Sequence, residues 1–296
     1  MRTNTLVTVN ILSYNRRDEL RNTLLKVFEQ DYKNIEVIVV DNASIDGSAE
    51  MVNAEFPTVK LIRLSKNIGI AGWNEGFKIA RGDFVLVLDD DSYPNNNIIS
   101  QSLNEFSGNS NVGVVAFNIW NISKKMNEIS YNPANEMPHF VGCGALIRKT
   151  VFESVGYFNE LLFLYEHERD FTLRLYEKDY IIKYKNNLVV NHNASYLNRS
   201  NKRMKYYFTR NYLIILFIYF SFNKVFLRMI RLIIGRCYSG IKQGGFFSIL
   251  KGIVSFIILV PELMNLRVPL EESVQKKFGY GSFAGGFHFK EFDWYN

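Results

Sequence analysis

The sequence predicts an α/β fold: a mostly parallel sheet with helices on both faces, followed by a helical arm at the C-terminal end. Three observations predict it. Near-continuous apolar runs alternate with helical segments from Leu6 to Leu88, two of those runs stop abruptly at aspartates, and the chain turns basic and apolar after Asn193. Apolar strands that alternate with helices build parallel sheets covered on both faces, and such sheets bind ligands outside the carboxyl ends of their strands.

Taken in order, residues 6–12 read as a buried strand and 17–29 as a polar helix. Residues 35–40 form a second strand ending at Asp41-Asn42, and Asp46-Gly47-Ser48 opens a second helix with Asp46 as its N-cap. Residues 59–64 are a third strand, 71–80 a third helix, and 84–88 a fourth strand that stops at Asp89-Asp90-Asp91. Past Pro94 the pattern weakens. Residues 112–117 read as a strand, 120–138 as a polar loop, and 140–147 as a strand whose Gly142 and Gly144 allow backbone to approach a ligand. A helix is expected from near Glu168 to about residue 178, then a strand over 181–184.

Length and composition narrow the class. At 296 residues, 47% of them hydrophobic and 22% charged, the chain has ordinary globular composition and can bury a sizeable core. Cys143 and Cys237 lie far apart without metal-ligand spacing, which argues against a disulfide scaffold or zinc ribbon and suits a reducing cytoplasm. The first apolar run is short and broken by Asn10, so no secretory signal is expected. Residues 193–260 carry eleven Lys or Arg and no acid; with those set apart from the net +6, the remainder carries −5. A mildly acidic body joined to a basic, apolar arm points to an anionic surface.

Three adjacent carboxylates at a buried strand's exit repel one another, and Mg2+ or Mn2+ would relieve that repulsion. The triplet alone leaves a solvated acidic turn equally open. Asp41, at another strand end, is placed to accept the imide N–H of a pyrimidine base or simply to begin a turn. The segment 67–76 puts Asn67, Gly69 and Asn74 beside an expected diphosphate, or is a tightly packed helix start.

Together with Ser13-Tyr14-Asn15 after the first strand, this ordered set resembles the family 2 glycosyltransferases of the GT-A fold over roughly residues 6–195. The resemblance implies an inverting, metal-dependent transferase of the rhamnosyl or a related hexosyl class that takes a sugar from a UDP- or dTDP-sugar. Its donor side would comprise Ser13, Asn15, Asp41, Asn67, Gly69, Asn74, Asp89 and Asp90, with Asp91 holding the metal and Asp89 lying near the ribose or sugar. Residues 163–174 look like the family's acidic segment, whose second acid is the catalytic base; that position is Glu168, with Glu166 and Asp170 as alternatives. A carboxylate suits the task of taking the acceptor hydroxyl's proton. The sequence departs from the pattern, since His167 replaces the usual first acid and Glu replaces Asp. Asp170 can equally pair with Arg174 four residues on. Some relatives place a metal-binding histidine where His192 stands, although a lone histidine is more often structural. The Gln-x-x-Arg-Trp motif of processive synthases is absent, so a single transfer is expected.

The arm contains apolar runs over 212–222 and 246–260, with Lys224, Arg228 and Arg231 at helical spacing between them. None of the runs reads as a clean transmembrane span; cationic, aromatic stretches of this kind suit helices lying in the interface of anionic lipid. The expected organisation is a catalytic domain over 1–198, divided near residue 94 into nucleotide-sugar and acceptor halves, and a membrane-associating arm over 199–296. The expected partners are a nucleotide-sugar donor, a glycan or lipid-linked acceptor and an anionic membrane surface, on the inner face of the cell membrane. No nucleic acid is expected, because no binding motif accompanies the charge. Two other readings remain: a non-catalytic membrane-bound scaffold, resting on the His167 departure, and a metal-dependent nucleotidyltransferase.

Overall fold

A computed structural model describes residues 5–128, 139–194 and 200–279. The chain divides into two compact units.

Within the described residues, the first unit takes up 5–128, 139–163 and 167–194. Its elements begin with β1 (Val7–Ser13), α1 (Arg17–Phe28), β2 (Ile35–Asp41), α2 (Ser48–Glu55), β3 (Lys60–Arg63), α3 (Gly72–Ile79) and β4 (Phe84–Asp89). There follow β5 (Ser92–Pro94), α4 (Ile98–Asn104), β6 (Val112–Asn121), β7 (Met126–Asn127), β8 (Ala145–Arg148), α5 (Lys149–Val155), α6 (His167–Glu177) and β9 (Ile181–His192). The strands form one mixed sheet in the order β3-β2-β1-β4-β8-β6-β9-β5, with β7 paired to β6. The run β3-β2-β1-β4 is parallel, while β8 pairs antiparallel with both β4 and β6.

Strand β1 explains why this half was readable. Val7, Thr8, Val9, Asn10 and Ile11 are all fully buried, so both faces of the strand are covered. Among the polar members, Asn10 Nδ2 donates to the Trp73 carbonyl (2.9 Å) and Thr8 Oγ1 to Glu36 Oε1 (2.5 Å). Register then aligns the functional ends. Ser13 lies opposite Asp41, and Leu12 opposite Asp89, so β2, β1 and β4 present their last residues side by side.

Several boundaries differ from expectation. Helix α2 starts at Ser48 behind a left-handed Gly47, and Asp46 sits one place too early to be its N-cap. Asp46 instead accepts from the Ser48 and Arg17 amides (3.1 and 2.9 Å), tying α2 to α1. Strand β6 continues through Asn121 and turns back at β7, where a polar loop was expected; of that loop, residues 129–138 lie outside the described residues. The expected strand over 140–147 is only β8, preceded by an isolated bridge between Val141 and Gly144. The close approaches its glycines permit are to protein: a Cβ on Gly142 would lie 2.7 Å from His167 Nε2, and one on Gly144 2.5 Å from Ile119. Strand β9 runs on to His192, its register against β6 shifting between Phe117 and Asn118.

The second unit contains Leu164–Glu166 and the described residues from Ser200 onward. It comprises α7 (Asn201–Tyr219), α8 (Phe222–Lys242), α9 (Phe246–Asn265) and α10 (Glu272–Gly279). Helix α9 packs along α7: Tyr206 Oη meets Ser255 Oγ (3.0 Å), a Cβ on Gly252 would lie 2.7 Å from the Tyr206 carbonyl, and Phe217 packs on Phe256. Beyond α9, the Val268 and Leu270 amides donate to the carbonyls of Ile218 and Tyr219 at the end of α7 (3.1 and 3.0 Å). One expectation is corrected here. The last apolar run does not stop at Val260; the helix passes through Pro261 to Asn265, and its 20 residues are long and apolar enough to cross a membrane by length and composition. The proline has no N–H to offer the Ile257 carbonyl, so α9 gives up one backbone bond there.

Candidate functional site

The site grows from the carboxyl ends of the parallel strands. Asp89 closes β4, and the tight turn after it is held by Ser92 Oγ, which accepts from the Asp89 amide (2.9 Å). That turn sends the next two aspartates in different directions. Asp90 turns toward the loop after β1, where its carboxylate accepts from the Tyr14 amide (3.1 Å) and pairs with Arg16 Nη1 (3.2 Å). Its carbonyl accepts from Thr23 Oγ1 (2.8 Å), fastening the turn to α1. Asp91 is buried, touches the same guanidinium through Oδ2, and lies 3.2 Å from His192 Nε2 through Oδ1.

Asp89, Asp91 and His192 bring one ligand atom each to within 4.8 Å of one another. Two hard carboxylates and an imidazole suit a divalent cation such as Mn2+ or Mg2+. The sequence placed Asp91 and His192 in a metal set; the structure adds Asp89 to the same cluster.

His192 is itself held from behind. Its Nδ1 lies 2.6 Å from Glu128 Oε1, which also accepts from Asn121 Nδ2 (2.8 Å). The β6–β7 turn brings that glutamate back under the end of β9. Burial by itself would lower the imidazole pKa, but hydrogen bonds and charge from Asp91 and Glu128 outweigh it and raise it to about 10. Burial also drives the Asp90 carboxyl up to about 7, helped by Asp91 and Asp89 and opposed by Arg16.

Glu168 stands in the first turn of α6. Its Oε1 accepts from the Gly142 amide (3.0 Å), and its Oε2 lies 3.2 Å from His167 Nδ1. Burial raises the Cys143 thiol pKa, and the charges of Asp89, Glu128, Asp91 and Glu168 act in the same direction. His167 is a core residue, packed against Trp73 and Phe158 with ring centroids 5.4 and 5.0 Å away. Burial lowers its pKa despite Glu168 and Asp170, which keeps it neutral.

Other candidates prove to be framework. Asp170 is fully buried, held by Asn159 Nδ2 (3.0 Å) and by Arg174 (2.6 Å), so it is an ion-paired strut rather than an available base. Asn74 is bound to the backbone of Phe158, accepting from its amide (3.1 Å) and donating to its carbonyl (2.9 Å). Gly69, at φ +65°, lets the Phe163 carbonyl approach where a Cβ would lie only 1.9 Å from it, and Asn67 Oδ1 accepts the Gly69 amide (2.8 Å). Glu166 belongs to the second unit, where Asn211 Nδ2 donates to the neighbouring carbonyls of Leu164 and Tyr165 (2.7 and 3.0 Å).

On the donor side, Asp41 is buried at the end of β2 and accepts from the Ser44 amide (3.2 Å). Asn15, at φ +53°, accepts from Ile45 (2.8 Å) and donates its amide to Ser44 Oγ (2.9 Å), which joins the loops after β1 and β2. Ser13 is buried between them. Sequence reasoning missed Arg16 and Glu128. Arg16 follows Ser13-Tyr14-Asn15 directly and was visible as a cation beside an acidic turn, whereas nothing local marks Glu128.

Residues 8–156, half of the chain, match Glycosyl transferase family 2. The chain belongs to that family. Among curated relatives of this family, it is 35% identical over 91 residues to the Escherichia coli UDP-Glc:alpha-D-GlcNAc-diphosphoundecaprenol beta-1,3-glucosyltransferase WfaP, covering 30% of this chain and 36% of WfaP. It is 28% identical over 191 residues to the uncharacterized glycosyltransferase YwdF of Bacillus subtilis, covering 60% of this chain and 70% of YwdF. The matched segment spans only about a quarter to two fifths of the first curated relatives, at 28%, 36% and 41% of their lengths. The fold is shared with the mannosyltransferase PcManGT from Pyrobaculum calidifontis in complex with GDP-Man and Mn2+. That likeness has a TM-score of 0.58 at 17% identity, covering 86% of this chain and 75% of that one. The sheet is thus a GT-A sheet. The family match takes in Ser13, Asp41 and Asp89 to Asp91 and ends before Glu168 and His192, whose place rests on geometry alone.

Proposed function

We propose that this chain transfers a hexosyl or rhamnosyl group from a UDP- or dTDP-sugar to a lipid-linked or surface glycan acceptor, with inversion at the anomeric carbon. The observation that carries the reading is the cluster of Asp89, Asp91 and His192, one ligand atom from each within 4.8 Å of the others, at strand ends of a GT-A sheet. In this reading, residues 1–198 are the catalytic domain and 199–296 the arm that holds the protein to the inner face of the cell membrane. The acceptor class is supported by the diphosphoundecaprenol named for WfaP and by the basic, apolar composition of the arm.

The chemistry divides among the chain's own residues. Asp41, at the end of β2, receives the pyrimidine base, with Ser13 beside it. Asp89, Asp91 and His192 would hold Mn2+ or Mg2+, which when bound supplies the countercharge for a leaving diphosphate. Glu128 keeps the His192 ring turned so that Nε2 faces Asp91. Arg16 partly neutralises Asp90 and Asp91. Glu168 takes the acceptor hydroxyl's proton as that oxygen bonds to the anomeric carbon. The bond to the diphosphate oxygen breaks on the opposite face, and the nucleoside diphosphate departs with the electron pair. The Gly142 amide fixes one Glu168 oxygen, so the carboxylate is aimed before substrate arrives.

The scaffold reading rests on His167, which is a buried neighbour of Trp73. Incubation with a panel of nucleotide sugars, Mn2+ and lipid-linked acceptors tests the proposal. Release of nucleoside diphosphate with a glycosylated lipid product is expected. Pyrophosphate as the product would instead mark a nucleotidyltransferase.

A further inference from the structure

In water a surface helix turns its polar face outward. Helix α8 does the reverse. Phe226, Ile230, Ile234, Tyr238 and Ile241 recur every three or four residues, so they share one face, and each is exposed, by 39% at Ile230 and 69% at Ile241. Helix α9 adds a second exposed apolar stripe, with Phe247, Val254, Ile257 and Ile258 between 47% and 75% exposed. Two adjoining apolar helix faces exceed what single exposed side chains account for and mark an interaction surface.

Charge identifies the occupant. No acid occurs from Asn193 through Val260, and Arg228, Arg231, Arg236 and Lys242 all lie on α8. A second copy would bring the same cations against one another, and a nucleic acid offers nothing to the apolar stripe. A bilayer carrying anionic headgroups satisfies both features at once.

The helix contacts also decide how the unit meets lipid. Arg228, Arg231 and Arg236 divide α8 too often for it to cross the hydrocarbon. Helix α9 is long enough to cross, yet it lies along α7, which carries Lys202, Arg203, Lys205 and Arg210. Crossing would require α9 to leave α7 and break the bonds from Val268 and Leu270. We infer that α8 and α9 form a monotopic membrane seat: α8 lies in the headgroup plane with its apolar face down, α9 dips beside it, and neither spans. This deepens the membrane-side reading above and rests on it for its place in the cell.

The test uses the full chain and vesicles that contain no glycan acceptor, so it reports on the surface alone. A transfer assay with a soluble acceptor reports separately on the site. Flotation is expected with phosphatidylcholine vesicles containing phosphatidylglycerol. Binding should fall at least tenfold on phosphatidylcholine alone, and by a similar factor for Ile230→Asp/Ile234→Asp, whose exposed positions leave the fold intact by circular dichroism. Arg231→Gln/Lys251→Gln should weaken binding to the anionic vesicles only. Equal binding to both vesicle types, no binding at all, or a lipid-free dimer dissolved by Ile230→Asp/Ile234→Asp would overturn the inference. For topology, Gln243→Cys and Asn265→Cys, each in a Cys237→Ser background, flank α9. A membrane-impermeant maleimide should label both on vesicle-bound protein; protection of one end alone would show that α9 spans.

Discussion

Asp91 is the most constrained residue of the site: its side chain is sealed from solvent, with a guanidinium at one oxygen and an imidazole at the other. Such a carboxylate is placed for a cation, and its neighbours should tune that cation. Glu128→Gln keeps a hydrogen-bonding group behind His192 but removes its charge. Mn2+ affinity, read by electron paramagnetic resonance, should fall about 10- to 100-fold; unchanged affinity would take Glu128 out of the metal's support. Glu168→Gln should lower turnover by about 10²- to 10⁴-fold and leave the dissociation constant for UDP-sugar unaltered, as measured by calorimetry. At this scale the sequence draws attention to what lies in short motifs, namely the aspartate triplet, Asp41 and Glu168. It could not show Glu128, because that residue reaches His192 through a hairpin 64 positions away in the chain. Nor could it show the Phe158 backbone, 84 positions on, that holds both ends of the Asn74 amide.

Among the elements, β2 offers a test of how the sheet's far end is closed. Burial by itself would raise the Glu36 pKa, but the Thr8 hydroxyl and the Arg81 amide and guanidinium outweigh it and hold it below the ordinary value. A carboxyl so depressed stabilises the fold above its unfolded pKa of 4.5 and loses that contribution as pH falls through the lower folded value. Glu36→Gln should therefore cost about 1.5–3 kcal/mol at neutral pH by urea unfolding, with the gap to the native chain closing below pH 4. A gap that persists in acid would assign the loss to packing instead of charge. The elements that were legible, β1 to β4 and α1 to α3, are near-continuous apolar runs alternating with helical segments. Those that were not, β5, α4 and α5, have three to seven residues, too few for a period to show. Helix α9 extends beyond the apolar run that ends at Val260, and the buried Leu263 packs its last turn.

For the whole molecule, the asymmetry of charge seen in the sequence corresponds to two compact units, an acidic GT-A sheet domain and a basic helical unit. If the sheet domain is a donor site, ligand binding must be felt as stability of the fold. The direct measurement is the unfolding temperature of the native chain and of Asp91→Asn with Mn2+ and UDP, each alone and together. The native chain should gain about 2.7 kcal/mol at a hundredfold excess over the dissociation constant, only when both are present, and Asp91→Asn should gain nothing. An equal rise in the variant, or none in the native chain with any nucleoside diphosphate, would contradict a cation-bridged donor site at the ends of β1, β2 and β4.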